Sequence, residues 1–416
     1  MDFYDALQAI SRPIRAVDYA RSHSLDAMHA LMKALGNPEQ AFPAVVVAGS
    51  VGKGTVCQCL ANRLATLPLK VGLYTSPHLH SFRERFVIDR QMISQPEFAG
   101  VMKVIREASD ASDERFSTFE LATALALWWF REQAVDVAVL EVGIGGRWDA
   151  VNVVPNKLSI VTPIEMEHVA MLGGTLHSIA EHKAGIMKLG GYAISAEQVP
   201  EVAQVLQDEA EARGTELAFS SYDELADMAL SNLAERQLIP QNAAYAGCID
   251  KALPGRMEWE SFSGKQVLID GAHTRSGAAR LQLEIERRWG NEPILIVVGM
   301  LRDKYAAGFL TTFDVPNYQL VLTQSSSQRA TPVKDLQKAI KLKHAHVQTE
   351  PDLNQALQYS VKSDMRHIVI TGSLRIAAAA REFLGLLDTD LLAEARATRD
   401  IFEGDEYVKR LKSGDH

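Results

Sequence analysis

The 416-residue chain is 47% hydrophobic and 23% charged, with a net charge of −9. That length exceeds one ordinary core and predicts two domains, and the apolar share excludes wholesale disorder. The acidic balance argues against a nucleic-acid partner, which requires a basic face.

In chain order, residues 1–40 read as two helices. Leu25, Met28, Leu31, Met32 and Leu35 recur at three and four, and Gly36-Asn37-Pro38 stops the stripe. Ala44–Ala48 is wholly apolar, the mark of a strand covered on both faces, as in parallel sheets. A helix over Val56–Leu67 and a strand over Lys70–Tyr74 follow. Next come a helix over Phe119–Gln133, a strand over Val135–Val142, a strand over Lys157–Thr162 and a helix over Ile179–Lys188. This alternation predicts a doubly wound α/β domain. Residues 196–253, rich in Ala, Glu and Gln, read as mostly helical until Pro254-Gly255. A second alternation has strands at Gln266–Ile269, Ile294–Val298, Val321–Thr323 and Ile368–Thr371, with a helix over Ser276–Trp289 after the first of them. The expected organisation is therefore residues 1–253, a smaller α/β domain over 254–387, and a charged helical tail over 388–416.

The chain has three cysteines, Cys57, Cys59 and Cys248. An odd, sparse set implies a reducing compartment and no disulfide framework. Asp2, Asp5, Arg12, Arg15 and Asp18 interrupt the first twenty residues, so no secretory signal is expected. The apolar stretches, such as Leu121–Phe130, are far too short to span a membrane. A cytoplasmic protein is expected.

The most informative segment is Gly49-Ser50-Val51-Gly52-Lys53-Gly54-Thr55, between a buried strand and a helix. Glycines let several backbone N–H groups turn toward one oxyanion, and the helix N-terminus adds partial positive charge. Lys53 supplies a full charge for β/γ-phosphates, and Thr55 suits a position beside a metal-bound phosphate. The spacing departs from the standard phosphate loop, with two residues rather than four between the first Gly and Gly-Lys. A plain Gly-rich turn is the alternative; strand, lysine and helix together favour nucleotide binding. Glu141 ends the run Val137–Leu140, where a buried carboxylate is costly without a cation. Ser76 also ends a predicted strand, at the edge where open α/β sheets collect ligands, although Ser-Pro suits a simple turn equally.

Further blocks follow in order: Tyr74-Thr75-Ser76-Pro77-His78-Leu79, Phe82–Phe86, Phe119–Ala124, Leu140–Ala150, Glu167-His168 and His182–Ile186. The second half adds Leu253–Arg256, Asp270–His273 and Thr371–Leu374. This ordered set resembles the folylpolyglutamate synthase/dihydrofolate synthase family of the Mur ligase superfamily, from about residue 20 to 375. The resemblance implies a P-loop ATPase-type domain followed by a Rossmann-like glutamate ligase domain. It implies an ATP-dependent amide ligase in which a carboxylate is phosphorylated and the amine of L-glutamate attacks the acyl phosphate. The acceptor would be dihydropteroate, a (tetrahydro)folate, or both. A Mur-type ligase acting on a different acid is the alternative, and a non-catalytic nucleotide-binding relative a third reading.

By the same resemblance, Ser50, Val51, Gly52, Lys53, Gly54 and Thr55 bind ATP, joined by Asn242, Arg256 and Asp270. Ser76 and Glu141 hold magnesium, with His168 serving a second ion. Lys53, Lys183 and His168 are the catalytic group, and Lys183 is the lysine that the family carbamylates; a surface helix lysine is the plainer reading. Phe119, Glu120, Trp148, Asp149 and Ala150 face the pterin, with Phe119 equally suited to a core. Asp270 equally suits a helix cap. The partners implied are small molecules only: ATP, L-glutamate and a pteroate or folate. A monomer is expected. The sequence departs from the family pattern at Ser50-Val51 for Thr-Asn, Glu167 for Asp, and Thr274 for Asn.

Overall fold

The computed structural model describes residues 1–11, 24–241, 253–302, 304–340 and 342–403. These form two compact units. One holds the described residues within Met1–His78 and Phe82–Ile249, the other those within Leu79–Ser81 and Asp250–Gly404.

The first unit begins with α1 (Phe3–Ser11) and α2 (Asp26–Ala34), then β1 (Ala44–Ala48), α3 (Lys53–Leu64) and β2 (Val71–Tyr74). A short hairpin, β3 (Phe86–Ile88) and β4 (Gln91–Met92), leads to α4 (Gln95–Asp110) and α5 (Thr118–Glu132). Then come β5 (Val137–Glu141), β6 (Leu158–Val161), α6 (Val169–Leu172), α7 (Leu176–Ala184), β7 (Tyr192–Ala196), α8 (Pro200–Arg213), β8 (Glu216–Ser220) and α9 (Leu225–Glu235). The sheet order is β4-β3-β2-β5-β1-β6-β7-β8. The six strands from β2 to β8 are parallel, and the β3–β4 hairpin closes one edge antiparallel.

Central β1 is buried at every position, which is why its sequence shows no alternation. Its neighbours β5 and β6 leave the chain on opposite sides of it, so the carboxyl end of β1 is a topological switch point. Register places Glu141 beside Val47 and Leu140 beside Tyr74. The segments that leave β1, β2, β5 and β6 therefore start from one edge. Below it, Val45, Val47, Val139 and Ile160 pack against Val56, Leu60 and Leu64 of α3 and Leu230 and Leu233 of α9.

The second unit contains β9 (Glu258–Phe262), β10 (Lys265–Ile269), α10 (Arg275–Trp289), β11 (Ile294–Val298), α11 (Ala306–Leu310), β12 (Tyr318–Gln324) and α12 (Val333–Ala339). It ends with β13 (His346–Asp352), α13 (Leu353–Lys362), β14 (His367–Thr371), α14 (Leu374–Phe383) and α15 (Thr389–Glu403). Its sheet order is β13-β12-β11-β14-β10-β9, parallel except for β9. Glu394 of α15 is buried and accepts a hydrogen bond from Ser81, and Arg399 donates to both oxygens of Glu382.

The mixed α/β architecture matches the expectation, with one local addition. Residues 196–241 are mostly helical, through α8 and α9, but the strand β8 lies between these helices and completes the first sheet. Its exposed edge position removes the apolar signature of an interior strand. Among the described residues no helix is long and apolar enough to cross a membrane.

Candidate active site

The loop after β1 is shaped by two close approaches. Gly49 has φ 139°, and a Cβ there would overlap the Thr162 hydroxyl and lie 2.8 Å from the Thr162 carbonyl. Gly52 has φ 82°, and a Cβ there would overlap the Tyr222 hydroxyl and lie 2.6 Å from its ring. Both positions exclude a side chain.

Ser50 and Val51 donate their backbone N–H groups to the Pro163 carbonyl, at 2.9 and 3.3 Å. Ser50 Oγ donates to Glu165 O and accepts from Glu165 N. These two residues thus tie the loop to the exit of β6. The first bond of α3 runs from Val56 N to Gly52 O at 3.0 Å. The amides of Lys53, Gly54 and Thr55 lie within that first turn, where a helix has no carbonyl of its own to offer them.

Lys53 Nζ donates to Gly49 O at 2.9 Å. Lys183 Nζ reaches the same carbonyl from α7 at 2.7 Å and donates to Glu167 Oε1, also at 2.7 Å. Lys183 is only 1% exposed, so it is no surface lysine. Burial lowers it to about 8 against the attraction of Glu167, with Lys53 lowering it further. Burial pushes Glu167 up, but Lys183, Lys53 and His168 outweigh it and hold the carboxylate below its ordinary range. His168 Nε2 lies 3.9 Å from Glu167 Oε2, and the His168 backbone is left-handed, with φ 45°.

Glu141 is 3% exposed at the end of β5 and accepts the Ser76 N–H on Oε2 at 2.9 Å. The structure thus joins the carboxylate and the Ser-Pro turn singled out from sequence. Arg85 adds positive charge near Glu141; burial lowers its pKa, and Tyr74 and Glu141 oppose that. It donates to His78 Nδ1 at 3.1 Å and lies over the Phe82 ring. Burial raises Tyr74 to about 12.

The five expected pterin contacts fall into different environments. Phe119 lies over the Gly143 backbone, where a Cβ would come 2.6 Å from its ring. Glu120 completes a capping box: its Oε2 accepts from both N and Oγ of Ser117. Asp149 is buried and accepts from Gly143 N, Ile144 N and Val151 N, each at 3.0 Å, which fixes the loop after β5. Burial raises Asp149 to about 6 against those three bonds and Lys53. Ala150 is buried, and Trp148 is exposed.

In the second unit, Asp270 is buried just beyond β10. Its two oxygens accept from Met257 N at 2.8 Å and Ala272 N at 2.7 Å. Burial raises its pKa, opposed by those bonds and by Arg256. Arg256 is partly exposed on the turn that this carboxylate fixes. Asn242 lies outside the described residues.

Sequence reasoning missed Tyr222, Thr162, Arg85 and an exposed apolar set, Ile144, Met166, Val169 and Met171, on the segments that follow β5 and β6. The unpatterned methionines between Thr162 and Gly173 were the available signal for the last group. Among the described residues, no three His, Cys, Asp or Glu side chains group to hold a metal ion.

The family model described as Mur ligase, glutamate ligase domain matches residues 255–374. Folylpolyglutamate synthase of Lacticaseibacillus casei is 30% identical, over 85% of this chain and 92% of that protein. Dihydrofolate synthase/folylpolyglutamate synthase of Mycobacterium tuberculosis is also 30% identical, over 87% of this chain and 90% of that protein. The solved structure of E. coli FolC in complex with DHPP and ADP superposes with a TM-score of 0.81 at 25% identity, covering 93% of this chain and 98% of that one.

Proposed function

The chain belongs to the folylpolyglutamate synthase/dihydrofolate synthase family, and on that premise we propose that it adds L-glutamate to dihydropteroate, to a tetrahydrofolate, or to both. ATP is the co-substrate. An acceptor carboxylate oxygen attacks the γ-phosphorus, the bond to the β–γ bridging oxygen breaks, and ADP leaves. The glutamate amine then attacks the acyl carbon, loses its proton, and expels inorganic phosphate.

The carrying observation is the buried Glu141, pinned by the Ser76 N–H one strand away from a Gly-Lys helix start. The amides of Lys53, Gly54 and Thr55 and the Lys53 ammonium supply donors and charge for the β- and γ-phosphates. Magnesium accepts one or two carboxylates and completes its shell with phosphate oxygens and water. The buried Glu141 carboxylate, which accepts the Ser76 N–H, fits that demand, and we assign Glu141 and Ser76 to one ion and His168 to a second. When bound, the metal neutralises charge on the transferring phosphoryl group.

We assign Lys183 as the carbamylation site. Burial lowers the Lys183 pKa and so favours the neutral amine, the form that takes up carbon dioxide. The acceptor's flat ring is assigned to the apolar rim of Trp148, Ile144, Met166, Val169 and Met171, with Phe119 beneath the Gly143 loop. Ser50, Val51, Glu120, Asp149 and Ala150 then shape the site from behind. Following the family resemblance, we assign Arg256 and Asp270 to the nucleotide. We take the enzyme to be a cytoplasmic monomer.

The test is acceptor-dependent ADP release with ATP, magnesium and glutamate. Stimulation by dihydropteroate or tetrahydrofolate is expected; background release with both acceptors refutes the assignment. Short carboxylic acids partly restoring turnover to Lys183→Ala would support carbamylation, and no restoration would count against it.

A further inference from the structure

Tyr222 lies on the turn between β8 and α9, 170 residues from the phosphate loop in sequence, yet its Oη donates to Gly52 O at 3.1 Å. Its ring also fills the space that a Gly52 side chain would need. The contact is within one packed body, since Leu225 and Leu230 of α9 and Cys57 and Leu60 of α3 share a core. Tyr222 is therefore held against the loop by the same packing that seats α3 on the sheet.

The consequence follows from peptide geometry. Gly52 C=O and Lys53 N–H are opposite edges of one planar unit. The carbonyl edge is held by Val56 N at 3.0 Å and by the Tyr222 hydroxyl. Fixing that edge fixes the direction of the Lys53 N–H, one of the donors left open at the start of α3. Gly52 has no side chain to restrain it, and with a left-handed φ of 82° it is held by contacts made to its backbone. We propose that Tyr222 is a positioning residue for ATP: its hydroxyl clamps the Gly52–Lys53 peptide so that the loop is preset for the phosphates before nucleotide arrives. This rests on the reading of Gly49–Thr55 as the triphosphate site.

The experiment compares the full chain with Tyr222→Phe, which keeps the ring and removes the donor, and with Tyr222→Ala, which removes both. ADP binding with magnesium is measured by calorimetry, and KM is measured separately for ATP and for glutamate. Loss of one hydrogen bond corresponds to about a two- to ten-fold weaker ADP affinity in Tyr222→Phe, with a larger loss in Tyr222→Ala. KM for ATP rises in parallel, and KM for glutamate stays within about two-fold, because the Tyr222 hydroxyl bonds to the phosphate loop. Tyr222→Phe binding ADP as tightly as the unaltered chain would overturn the proposal. So would equal rises in both KM values, or a lower melting temperature with neither KM changed, because those mark a general structural role. If the unaltered chain binds no ADP, the parent reading of the loop fails instead.

Discussion

Replacing Lys183 by Met should destabilise the first unit of the uncarbamylated chain and abolish turnover, for separable reasons. Lys183 Nζ has two 2.7 Å partners, Glu167 Oε1 and Gly49 O, and the lysine is 1% exposed. Removing it strands a carboxylate whose side chain is 13% exposed. Breaking a buried pair from one side costs about 3–5 kcal/mol. At about 2–4 °C per kcal/mol for a unit of this size, the melting temperature should fall by roughly 6–20 °C. The Lys183→Met/Glu167→Leu double variant removes both charges and should recover most of that loss, because the desolvation penalty disappears with the pair. It should not recover ligation. Calorimetric melting and ADP release on the same preparations provide the two readouts. A single variant that melts within about 1 °C of the unaltered chain would show that the pair contributes nothing. A double variant with near-normal turnover would remove Lys183 from the chemistry.

Three further outcomes follow from the same geometry. Lys53→Ala removes the charge that faces the phosphates and should lower turnover by at least about a hundred-fold; near-normal ADP release would refute the role of the loop lysine. Gly49→Ala forces a Cβ onto the Thr162 hydroxyl and backbone at φ 139°, and thermal unfolding should show a loss of about 2 kcal/mol or more; an unchanged melting temperature would contradict the tight approach. Asp149 titrates near 6 in the fold because burial outweighs its backbone donors, so the folded state takes up its proton before the unfolded state does. Relative to Asp149→Asn, the unaltered chain should therefore gain stability as the pH falls from about 6 to 4, by up to about 3 kcal/mol; a loss over that window in denaturant titrations would reverse the assignment.

What the sequence made legible tracks burial. The strand β1 and the run ending at Glu141 are wholly covered, so they appear as continuous apolar segments, and the charged residue at the end of the second stands out. Ser76 and Glu141 were found separately, and the parallel register between β2 and β5 brings them together. Edge strands were poorly legible: β8 is only partly buried, β13 is largely exposed, and they carry Glu216, Gln348, Glu350 and Asp352 among their residues. Glu120 shows a different kind of signal. Its spacing from Ser117 is itself a capping box, a local role readable from the sequence. Tyr222 has no local signature at all, since its partner at Gly52 is reached only through the packing of α9 on α3.

The central claim is that the acceptor carboxylate is phosphorylated before the amine attacks. It is tested most directly with an acceptor labelled with oxygen-18 in the reacting carboxylate. Turnover with ATP, magnesium and glutamate should deliver one labelled oxygen to each inorganic phosphate released, as mass spectrometry would show. Amide product formed alongside unlabelled phosphate would contradict the acyl-phosphate route.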